Sequence, residues 1–474
     1  MTYLMRFLLL FLALFVVAPA AADDDDDDGD QSSGRVLNVD CDRGQTITRA
    51  LERAQRGDTI LVRGTCKETV TIMTDKLTLA GKAGAVIDGE GAPENVVTID
   101  GARDVTLRDL VLQNGDGGLV IQRQASATLE GVTAQGNADD GIEVGQTASA
   151  IITNCKAENN GDEGFLAAIN SSVVFLGGAI VSTGNGGLGV QASNSSSLFI
   201  FGTAVEATGN AQDGLGVFSS SLFVSDSSSL TLKDNGGRGL TLAGNSEGNL
   251  RGTTTISGNG SEGILIFTSS NAALDGSILI EGNGFDDPLG IGGLHVNRVS
   301  NARLLGDIEI RGNADFGLSI VQNSYTFMGA GRLVIEDSTS HGVLVFEGSH
   351  LEIRPLFGPV DVQIRRNGED GILLGDRSGT RLAEGVAISD HPRNGISCRR
   401  GSTVVVDDIT IVGNSEDGAE VDDCLLQAED TRIQGSSAGI TASFGSRLTL
   451  LRNSISGGLV CDDTVLSRGD ALCP

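Results

Sequence analysis

Four side chains in the last third of the sequence have the types and spacing of a catalytic site: His341, Asp370, His391 and Arg393. His341 and Asp370 each stand directly before a glycine that opens a short apolar run, and the other two precede the next such glycine. A histidine beside a carboxylate can act as a general base near neutral pH. The alternative is structural, because the charges at positions 369, 393 and 416 alternate and can stabilise a turn.

Acidic residues stand ahead of the same kind of glycine in many other segments. Two consecutive segments are the richest, with Asp139, Asp140, Asp162 and Glu163. Several carboxylate oxygens stacked close together suit Ca²⁺, a hard cation that takes many oxygen ligands. The sequence therefore suggests a candidate calcium site here, and ordinary solvated acidic turns are the favoured interpretation. The Gly-Gly-x-Gly-x-Asp nonapeptide of calcium-loaded β-rolls does not occur.

A repeated turn has to position all of these side chains. Copies that begin with Gly-Asn and carry a glycine before a final apolar residue are 136–142, 209–215, 258–264 and 413–419. The opening glycine of the apolar run recurs fifteen times between Gly118 and Gly458, mostly every 21 to 27 residues, with Gly187 and Gly189 equally good choices for one of them. Each interval holds three short alternating segments, such as 264–266, 271–274 and 277–280.

This period predicts an all-β fold, a single-stranded right-handed parallel β-helix of about fifteen coils with three short strands in each. Leucine-rich repeats have another signature, and propeller blades need about forty residues. Asparagine suits the turn because it tolerates a left-handed conformation, and stacked asparagines can form a hydrogen-bonded ladder. Residues 46–56 have one apolar helical face and predict a capping helix, with Thr46 at its start and Gly57 after its end.

The chain is predicted to consist of three parts. Residues 1–22 have one basic residue, an apolar run and small residues, which is typical of a signal peptide. Residues 23–35, with six consecutive aspartates, predict an acidic disordered leader. Residues 36–474 form the β-helix, with an N-terminal cap at 36–96 and a C-terminal cap at 459–474. No transmembrane segment is expected after signal removal, because the apolar run is too short.

Seven cysteines in an exported chain predict disulfides with one thiol left over. Pairing by sequence proximity predicts the bonds Cys41–Cys66, Cys398–Cys424 and Cys461–Cys473. Cys155 then remains as a buried free thiol inside the repeats. The localisation that follows from the signal peptide and the disulfides is secreted or periplasmic.

The formal net charge of −29 excludes nucleic acid as a partner, because its phosphates need lysine and arginine. It also disfavours a direct grip on acidic membranes or polyuronates, and it favours solubility and the attraction of cations. Aromatic residues make up only 4% of the chain, and tryptophan is absent. These properties weigh against a sugar site rich in stacking rings.

The repeated Gly-Asn-x-x-Asp/Glu-Gly-Ile/Leu turns, together with the opening segments 44–47, 57–62 and 68–70, resemble the pectate-lyase-like superfamily of right-handed β-helix proteins. The resemblance covers about residues 37–465. It implies a β-helix, and an activity anywhere among lyases, hydrolases, epimerases and non-catalytic proteins. The superfamily's catalytic motifs do not stand intact, since residues 340–342 and 389–392 match only parts of them.

The side chain two positions after each opening glycine is expected to point outward, on the sheet where such enzymes usually work. This column holds Glu143, His295 and Glu420 but no lysine or arginine. Two intervals between opening glycines are longer than the rest and place extra residues at 285–289 and 355–359. Loops that leave a regular repeat often bind ligands, so these segments are candidate binding loops, and plain insertions are the alternative.

The sequence therefore predicts an exported, monomeric β-helix that binds or scaffolds at or outside the cell surface, with a polysaccharide or another surface component as partner. Calcium is the one cofactor that it suggests. The alternative is a polysaccharide-active enzyme, a lyase, hydrolase or epimerase.

Overall fold

The computed structural model describes residues 34–286 and 291–473. The predicted signal peptide and all but the last two residues of the predicted leader lie outside these ranges. One compact unit begins at Arg35. The guanidinium of Arg35 belongs to that unit, because it forms a 2.6 Å ion pair with the buried carboxylate of Asp58.

Short parallel strands follow one another through three sheets, so that each coil contributes one strand to each sheet. We call the sheet whose strands follow the opening glycines sheet 1, and the next two along each coil sheet 2 and sheet 3. Each strand pairs with the equivalent strands of neighbouring coils; Ile142, for example, lies opposite Leu119 and Phe165. Because every described pairing is parallel and every coil repeats it, the fold is a parallel β-helix.

The strands of sheet 1 are Val70–Ile72, Val97–Asp100, Leu119–Gln122, Ile142–Val144, Phe165–Ala167, Val190–Ala192, Leu215–Phe218, Leu240–Ala243, Ile264–Phe267, Leu294–Val296, Leu318–Ile320, Val343–Val345, Ile372–Leu374, Ile396–Arg399, Ala419–Asp422, Ile440–Ser443 and Leu459–Cys461. The strands of sheet 2 are Val36–Asp40, Thr59–Arg63, Thr78–Gly81, Val105–Arg108, Ser126–Glu130, Ser149–Thr153, Ser172–Leu176, Ser197–Phe201, Leu222–Asp226, Glu247–Leu250, Asn271–Leu274, Asn301–Leu304, Tyr325–Met328, His350–Ile353, Gly379–Leu382, Thr403–Asp407, Leu425–Glu429, Arg447–Leu451 and Leu466–Gly469. The strands of sheet 3 are Thr65–Lys67, Val86–Asp88, Val111–Gln113, Thr133–Gln135, Lys156–Glu158, Ala179–Thr183, Ala204–Thr208, Ser229–Lys233, Thr253–Ser257, Ser277–Glu281, Asp307–Arg311, Gly331–Glu336, Val360–Arg365, Val386–Ser389, Thr410–Asn414, Arg432–Gly435 and Ser454–Ser456.

The core lies between the three sheets and is built from alternate strand residues. In Ile142–Val144 the two aliphatic side chains are buried, and Glu143 between them faces outward as predicted. The buried residues are mainly isoleucine, leucine and valine, and they form one continuous cluster along the described coils. Alternation of this kind follows from strand geometry, and burial of the aliphatic side chains supplies the main driving force.

The helix has about seventeen turns, two more than predicted from the glycines. The first two strands of sheet 1 are preceded by Thr69 and Val96, so counting glycines misses their turns. Where Gly187 and Gly189 were equally good choices, the strand Val190–Ala192 begins directly after Gly189. The outward residue of that coil is therefore Gln191.

The predicted asparagine ladder is confirmed. The amide of Asn137 donates to the side-chain oxygen of Asn160 at 2.9 Å, and the amide of Asn160 donates to that of Asn185 at 3.0 Å. The uninterrupted run of side-chain bonds consists of Asn137, Asn160, Asn185, Asn210, Asn235, Asn259, Asn283 and Asn313, and Asn367 and Asn414 hold the same position on later coils. All are buried.

The reason given for asparagine was wrong in one respect. The left-handed residue is the one ahead of the ladder asparagine, as at Gly136 (φ 62°) and Gly209 (φ 63°), and not the asparagine itself. Glycine adopts this conformation at little cost. The asparagine is selected by its amide, which can donate and accept hydrogen bonds in a buried position.

Serine hydroxyls form a second ladder, between sheets 1 and 2, that the sequence analysis missed. The hydroxyl of Ser196 accepts from the backbone N–H of Ser171 at 3.1 Å, and that of Ser221 accepts from the N–H of Ser196 at 3.1 Å. A serine just ahead of many sheet 2 strands is the signal that would have revealed it.

The N-terminal capping helix is shorter than predicted, Ile47–Leu51 instead of 46–56, and a single 3₁₀ turn, Cys41–Arg43, precedes it. The hydroxyl of Thr46 accepts from the N–H of Arg49, which confirms the predicted N-cap. The carboxylate of Glu68 also accepts from the N–H of Ile47 at 2.7 Å, a cap that the sequence analysis did not foresee. Beyond Leu51 the backbone tightens, since the N–H of Ala54 donates to the carbonyl of Leu51, and the carboxylate of Asp58 accepts the N–H of Gln55.

Three disulfides join Cys41 to Cys66, Cys398 to Cys424, and Cys461 to Cys473, the pairs predicted by proximity. Cys155 is a buried free thiol, and burial raises its pKa to about 11. Within the described residues, no helix has the length and apolar character needed to cross a membrane.

Candidate functional site

The turn before each sheet 1 strand carries two side chains just ahead of the opening glycine, and the repeat stacks them into two rows along the edge of sheet 1. His341 and Asp370 occupy the row next to the glycine on adjacent coils. Arg393 occupies the other row, one coil further on. The structure therefore brings three of the four predicted catalytic residues together.

The ring of His341 is held on both nitrogens by its own chain. Its Nε2 lies 3.1 Å from the carboxylate of Glu369, and its Nδ1 accepts the backbone N–H of Asp370 at 3.1 Å. Phe316 stacks on the ring with centroids 5.8 Å apart, and the histidine is only 7% exposed. Both ring nitrogens are therefore in contact with polar groups of the protein itself.

Asp370 is completely buried beside this ring. Its Oδ1 accepts the backbone N–H of Asn394 at 3.0 Å, and its Oδ2 lies 3.3 Å from Nδ1 of His341 without a hydrogen-bond partner among the described residues. Burial opposes ionisation of Asp370, but the ring of His341 and the N–H of Asn394 outweigh it and lower the pKa of this carboxyl. His341 and Asp370 thus form a buried pair.

The outer row is the accessible part of this cluster. Arg393 lies 3.5 Å from the carboxylate of Glu369 and 3.7 Å from that of Glu416, and all three side chains are 40–50% exposed. This is the alternating charge row that the sequence offered as the structural alternative. Both contacts are long for ion pairs, and exposed pairs contribute little to stability. Each of these three side chains can therefore give up its ion pair and bind a ligand with little loss of stability.

His391 lies apart from the cluster. Its Nδ1 accepts the backbone N–H of Asn367 at 3.3 Å, and its Nε2 lies 3.1 Å from the carbonyl oxygen of Ile364. Its own backbone N–H donates to the side-chain oxygen of Asn414. These are the contacts of a ladder asparagine, so His391 replaces asparagine in the ladder. Burial lowers its pKa, which keeps the ring neutral.

The predicted calcium ligands do meet in space. Carboxylate oxygens of Asp139, Asp140 and Asp162 all lie within 4.8 Å of one another. Burial and the neighbouring Glu163 raise the pKa of Asp140, and burial likewise raises the pKa of Glu163. Crowded carboxylates of this kind are a donor set that fits Ca²⁺, although the calcium site itself stays a prediction.

These shifted carboxyls predict a pH effect on stability that can be measured. A carboxyl whose pKa is higher in the folded state binds its proton more tightly there, so its stabilising contribution is complete below about pH 4 and is lost as pH rises. We expect the melting temperature to fall between pH 5 and pH 9, and Asp140→Asn to reduce that fall by roughly 2 °C or more. Millimolar Ca²⁺ should restore the wild-type melting temperature at pH 9.

The control is Asp275→Asn, since Asp275 is an exposed carboxylate on another turn. A pH profile that Asp140→Asn leaves unchanged would contradict the prediction for these carboxyls. A profile that responds to Asp140→Asn but not to Ca²⁺ would support the raised pKa and remove the calcium site.

Two further polar groups on the outer face of sheet 1 were not recognised from the sequence as sites. In the first, the carboxylate of Glu420 accepts hydrogen bonds from Ser397 at 2.8 Å and from Arg399 at 3.2 Å. In the second, Arg238 pairs with Glu262 at 2.7 Å, close to the buried ring of His295. Neither nitrogen of His295 has a hydrogen-bond partner among the described residues, and burial lowers its pKa.

The sequence model of the family described as "Right handed beta helix region" matches residues 95–250 and 330–461, which is more than half of the chain. The protein belongs to this family. The family match agrees with the parallel coils of the structure and assigns their right hand. No curated protein matches the sequence.

Solved β-helix structures are similar to this family member only in fold. Pectin methylesterase PemA from Erwinia chrysanthemi is 14% identical, with 44% of this chain and 81% of that chain covered and a TM-score of 0.34. The A-module of mannuronan C-5 epimerase AlgE6 from Azotobacter vinelandii is 15% identical, with 89% and 93% covered and a TM-score of 0.29. A GH87 alpha-1,3-glucanase from Streptomyces thermodiastaticus strain HF3-3 is 12% identical, with 92% and 71% covered and a TM-score of 0.33.

Proposed function

We propose that this protein is an exported, monomeric β-helix that binds a polysaccharide along the edge of sheet 1 and does not cleave it. The observation that carries the proposal is the exposed row formed by Glu369, Arg393 and Glu416. Carboxylates accept and guanidinium donates hydrogen bonds, so the row offers sugar hydroxyls both kinds of partner. Successive coils are about 4.8 Å apart, which presents these groups as a rigid linear array.

The contacts of the buried pair, His341 and Asp370, favour binding over catalysis. A general base needs an accessible lone pair within reach of the proton that it removes. Nδ1 of His341 lies 3.1 Å from the backbone N–H of Asp370, and Nε2 lies 3.1 Å from the carboxylate of Glu369, so both nitrogens already have neighbours in the protein. The groups that a ligand can reach are therefore those of the exposed row.

An extracytoplasmic location is part of the proposal. Three disulfides are compatible with an oxidising compartment, secreted or periplasmic. The ligand is then a polysaccharide or another component outside the cytoplasm. The uncompensated acidic side chains of other turns would attract cations there.

The test is a binding titration of the full chain with a panel of neutral and acidic polysaccharides, with and without Ca²⁺. We expect Arg393→Gln to weaken the best ligand about tenfold, since charge-assisted hydrogen bonds are lost. Arg311→Gln is the control, because Arg311 is equally exposed and paired with Glu281 but lies on sheet 3. Equal affinity of Arg393→Gln and wild type would refute sheet 1 as the binding face.

The second candidate is polysaccharide cleavage, favoured by the unpartnered oxygen of Asp370 beside His341. An assay for unsaturated and reducing ends on the same panel decides between the two. We expect no product from the wild-type protein. Product that disappears in both His341→Gln and Asp370→Asn would establish the enzyme in place of the binding protein.

A further inference from the structure

Four aromatic rings lie together on the outer face of sheet 2, a different sheet from the proposed binding face. We call Tyr325, Phe327, His350 and Phe357 the ring platform. The rings of Tyr325 and His350 are nearly parallel, 9° apart in plane with centroids 5.9 Å apart. Phe327 and Phe357 meet edge to face at 6.1 Å. Only 4% of the residues in this chain are aromatic, so a group of rings on one face indicates a specific role.

Two glycines give the rings room to lie along the sheet. A Cβ at position 379 would stand 2.6 Å from Nδ1 of His350. A Cβ at position 329 would stand 2.7 Å from the ring of Phe357 and 2.8 Å from that of Phe327. Any other residue at either position would push a ring away from the sheet. The flat arrangement therefore depends on glycine at both places.

Phe357 belongs to the loop 355–359, the second of the two longer intervals in the sequence. The backbone N–H of Phe357 donates to the carbonyl of Gly329 at 2.9 Å, and the N–H of Gly331 donates to the carbonyl of Pro359 at 3.0 Å. Both bonds tie the loop to its neighbouring coil. Phe357 is nevertheless 72% exposed. An exposed ring on a fixed backbone is already ordered for binding, which lowers the entropy cost of association.

The charges around the platform are not balanced. Glu352 accepts the hydroxyl of Tyr325 at 2.6 Å and forms an ion pair with Arg354. In the sheet register, Arg303 lies beside Phe327, and Arg381 lies beside Glu352. Both arginines are exposed, and neither has a carboxylate partner among the described residues. The outer face of sheet 2 therefore presents these two arginines at the platform, while Glu384 and Asp407 lie beside Pro355 at the start of the loop.

We propose that the ring platform, with Arg303 and Arg381 beside it, binds a sugar ring that carries an anionic group. The exposed ring of Phe357 offers an apolar face to the C–H groups of a sugar, and the arginines offer guanidinium groups, which fit carboxylate or sulfate through paired N–H donors. The negative chain as a whole disfavours an anionic ligand, so binding at this place depends on the guanidinium groups of Arg303 and Arg381. This site does not depend on the proposed function of sheet 1.

Tyr325 supplies a readout confined to this site. The chain has no tryptophan, and its two tyrosines are Tyr3 and Tyr325. In a full-length Tyr3→Phe variant, tyrosine emission reports only the environment of Tyr325. We expect a change in that emission on titration with a uronate hexasaccharide or a sulfated hexasaccharide, and at least tenfold weaker binding of a neutral hexasaccharide. The two anionic probes distinguish a carboxylate from a sulfate.

Matched variants test each part of the platform. Phe357→Ala and Arg381→Gln should each weaken the emission-detected affinity about tenfold, whereas Phe444→Ala and Arg447→Gln should leave it unchanged. Phe444 is 73% exposed, and Arg447 is an exposed arginine of sheet 2 at a distant coil. Equal binding of neutral and anionic probes, or equal effects of Phe357→Ala and Phe444→Ala, would overturn the proposal. Arg393→Gln separates the two sites, because it affects sheet 1 binding and leaves the Tyr325 signal intact.

Discussion

Replacement of Gly141 by alanine is expected to lower the free energy of unfolding by about 3 kcal/mol or more. The added Cβ would stand 2.6 Å from the carbonyl oxygen of Gly164, 2.8 Å from the amide nitrogen of Asn160, and 2.9 Å from Cβ of Ala157. Two of these atoms belong to fixed parts of the next coil, the backbone and the asparagine ladder. The coil can accommodate the methyl group only by separating from its neighbour, which breaks strand pairing.

Gly209→Ala is the control that separates packing from backbone conformation. Gly209 has a φ of +63°, but a Cβ there would meet no atom within 4 Å. Its replacement should lower the free energy of unfolding by only about 1 kcal/mol, because a residue other than glycine is strained in the left-handed conformation. Urea denaturation, monitored by circular dichroism, measures the free energy of unfolding of both variants. Losses of equal size would show that the opening glycine is not selected by the space between coils.

Asn210→Ala should destabilise the protein by about 4 kcal/mol, because it interrupts the ladder in its middle. The side-chain oxygen of Asn210 accepts from the backbone and amide of Asn185, and its amide donates to Asn235 and to the carbonyl of Ser182. The substitution leaves the buried backbone N–H of Asn185 without its partner and removes one hydrogen bond from each of the side chains of Asn185 and Asn235, at roughly 1–3 kcal/mol for a group left unsatisfied. Since the ladder runs through consecutive coils, the loss acts on both neighbours.

Asn301→Ala provides a matched control for the ladder. Asn301 donates its amide to the side-chain oxygen of Asn271 at 2.9 Å in the same stacked manner, but this pair is exposed to solvent. Water can replace the lost bond, so the expected cost is below about 1 kcal/mol. If Asn210→Ala and Asn301→Ala lowered the free energy of unfolding by similar amounts, burial would not explain the contribution of the ladder.

Most of the fold was predictable because its determinants are local and repeated. The opening glycine, the Gly-Asn turn and the alternating aliphatic residues each act within one coil or between adjacent coils, and they recur at nearly constant spacing. The errors arose where the local signal changes, at the first two turns, which have no glycine, and at the capping helix, which ends at Leu51. The choice of the left-handed residue was also wrong, because both residues of Gly-Asn suit such a turn.

The candidate site was only partly predictable. Counting back from the opening glycines placed His341 beside Asp370 and Arg393 between two carboxylates, as the structure has them. The same counting predicted that His391 lies near His341 and Asp370, but its ring occupies the position of an asparagine in the ladder. Counting locates a side chain along the coil, but the groups that its ring nitrogens meet belong to other coils.

The amino-acid sequence by itself determined the β-helix and the asparagine ladder, because both depend on residue types at a repeated interval, and it determined the cysteine pairs through their proximity along the chain. Only the tertiary structure decided which polar groups are buried, which are exposed, and which rings meet on sheet 2. The members of the ring platform come from different coils, and the room for them depends on glycines at positions 329 and 379. Contacts of this kind depend on packing between coils of unequal length, which a repeat pattern does not contain.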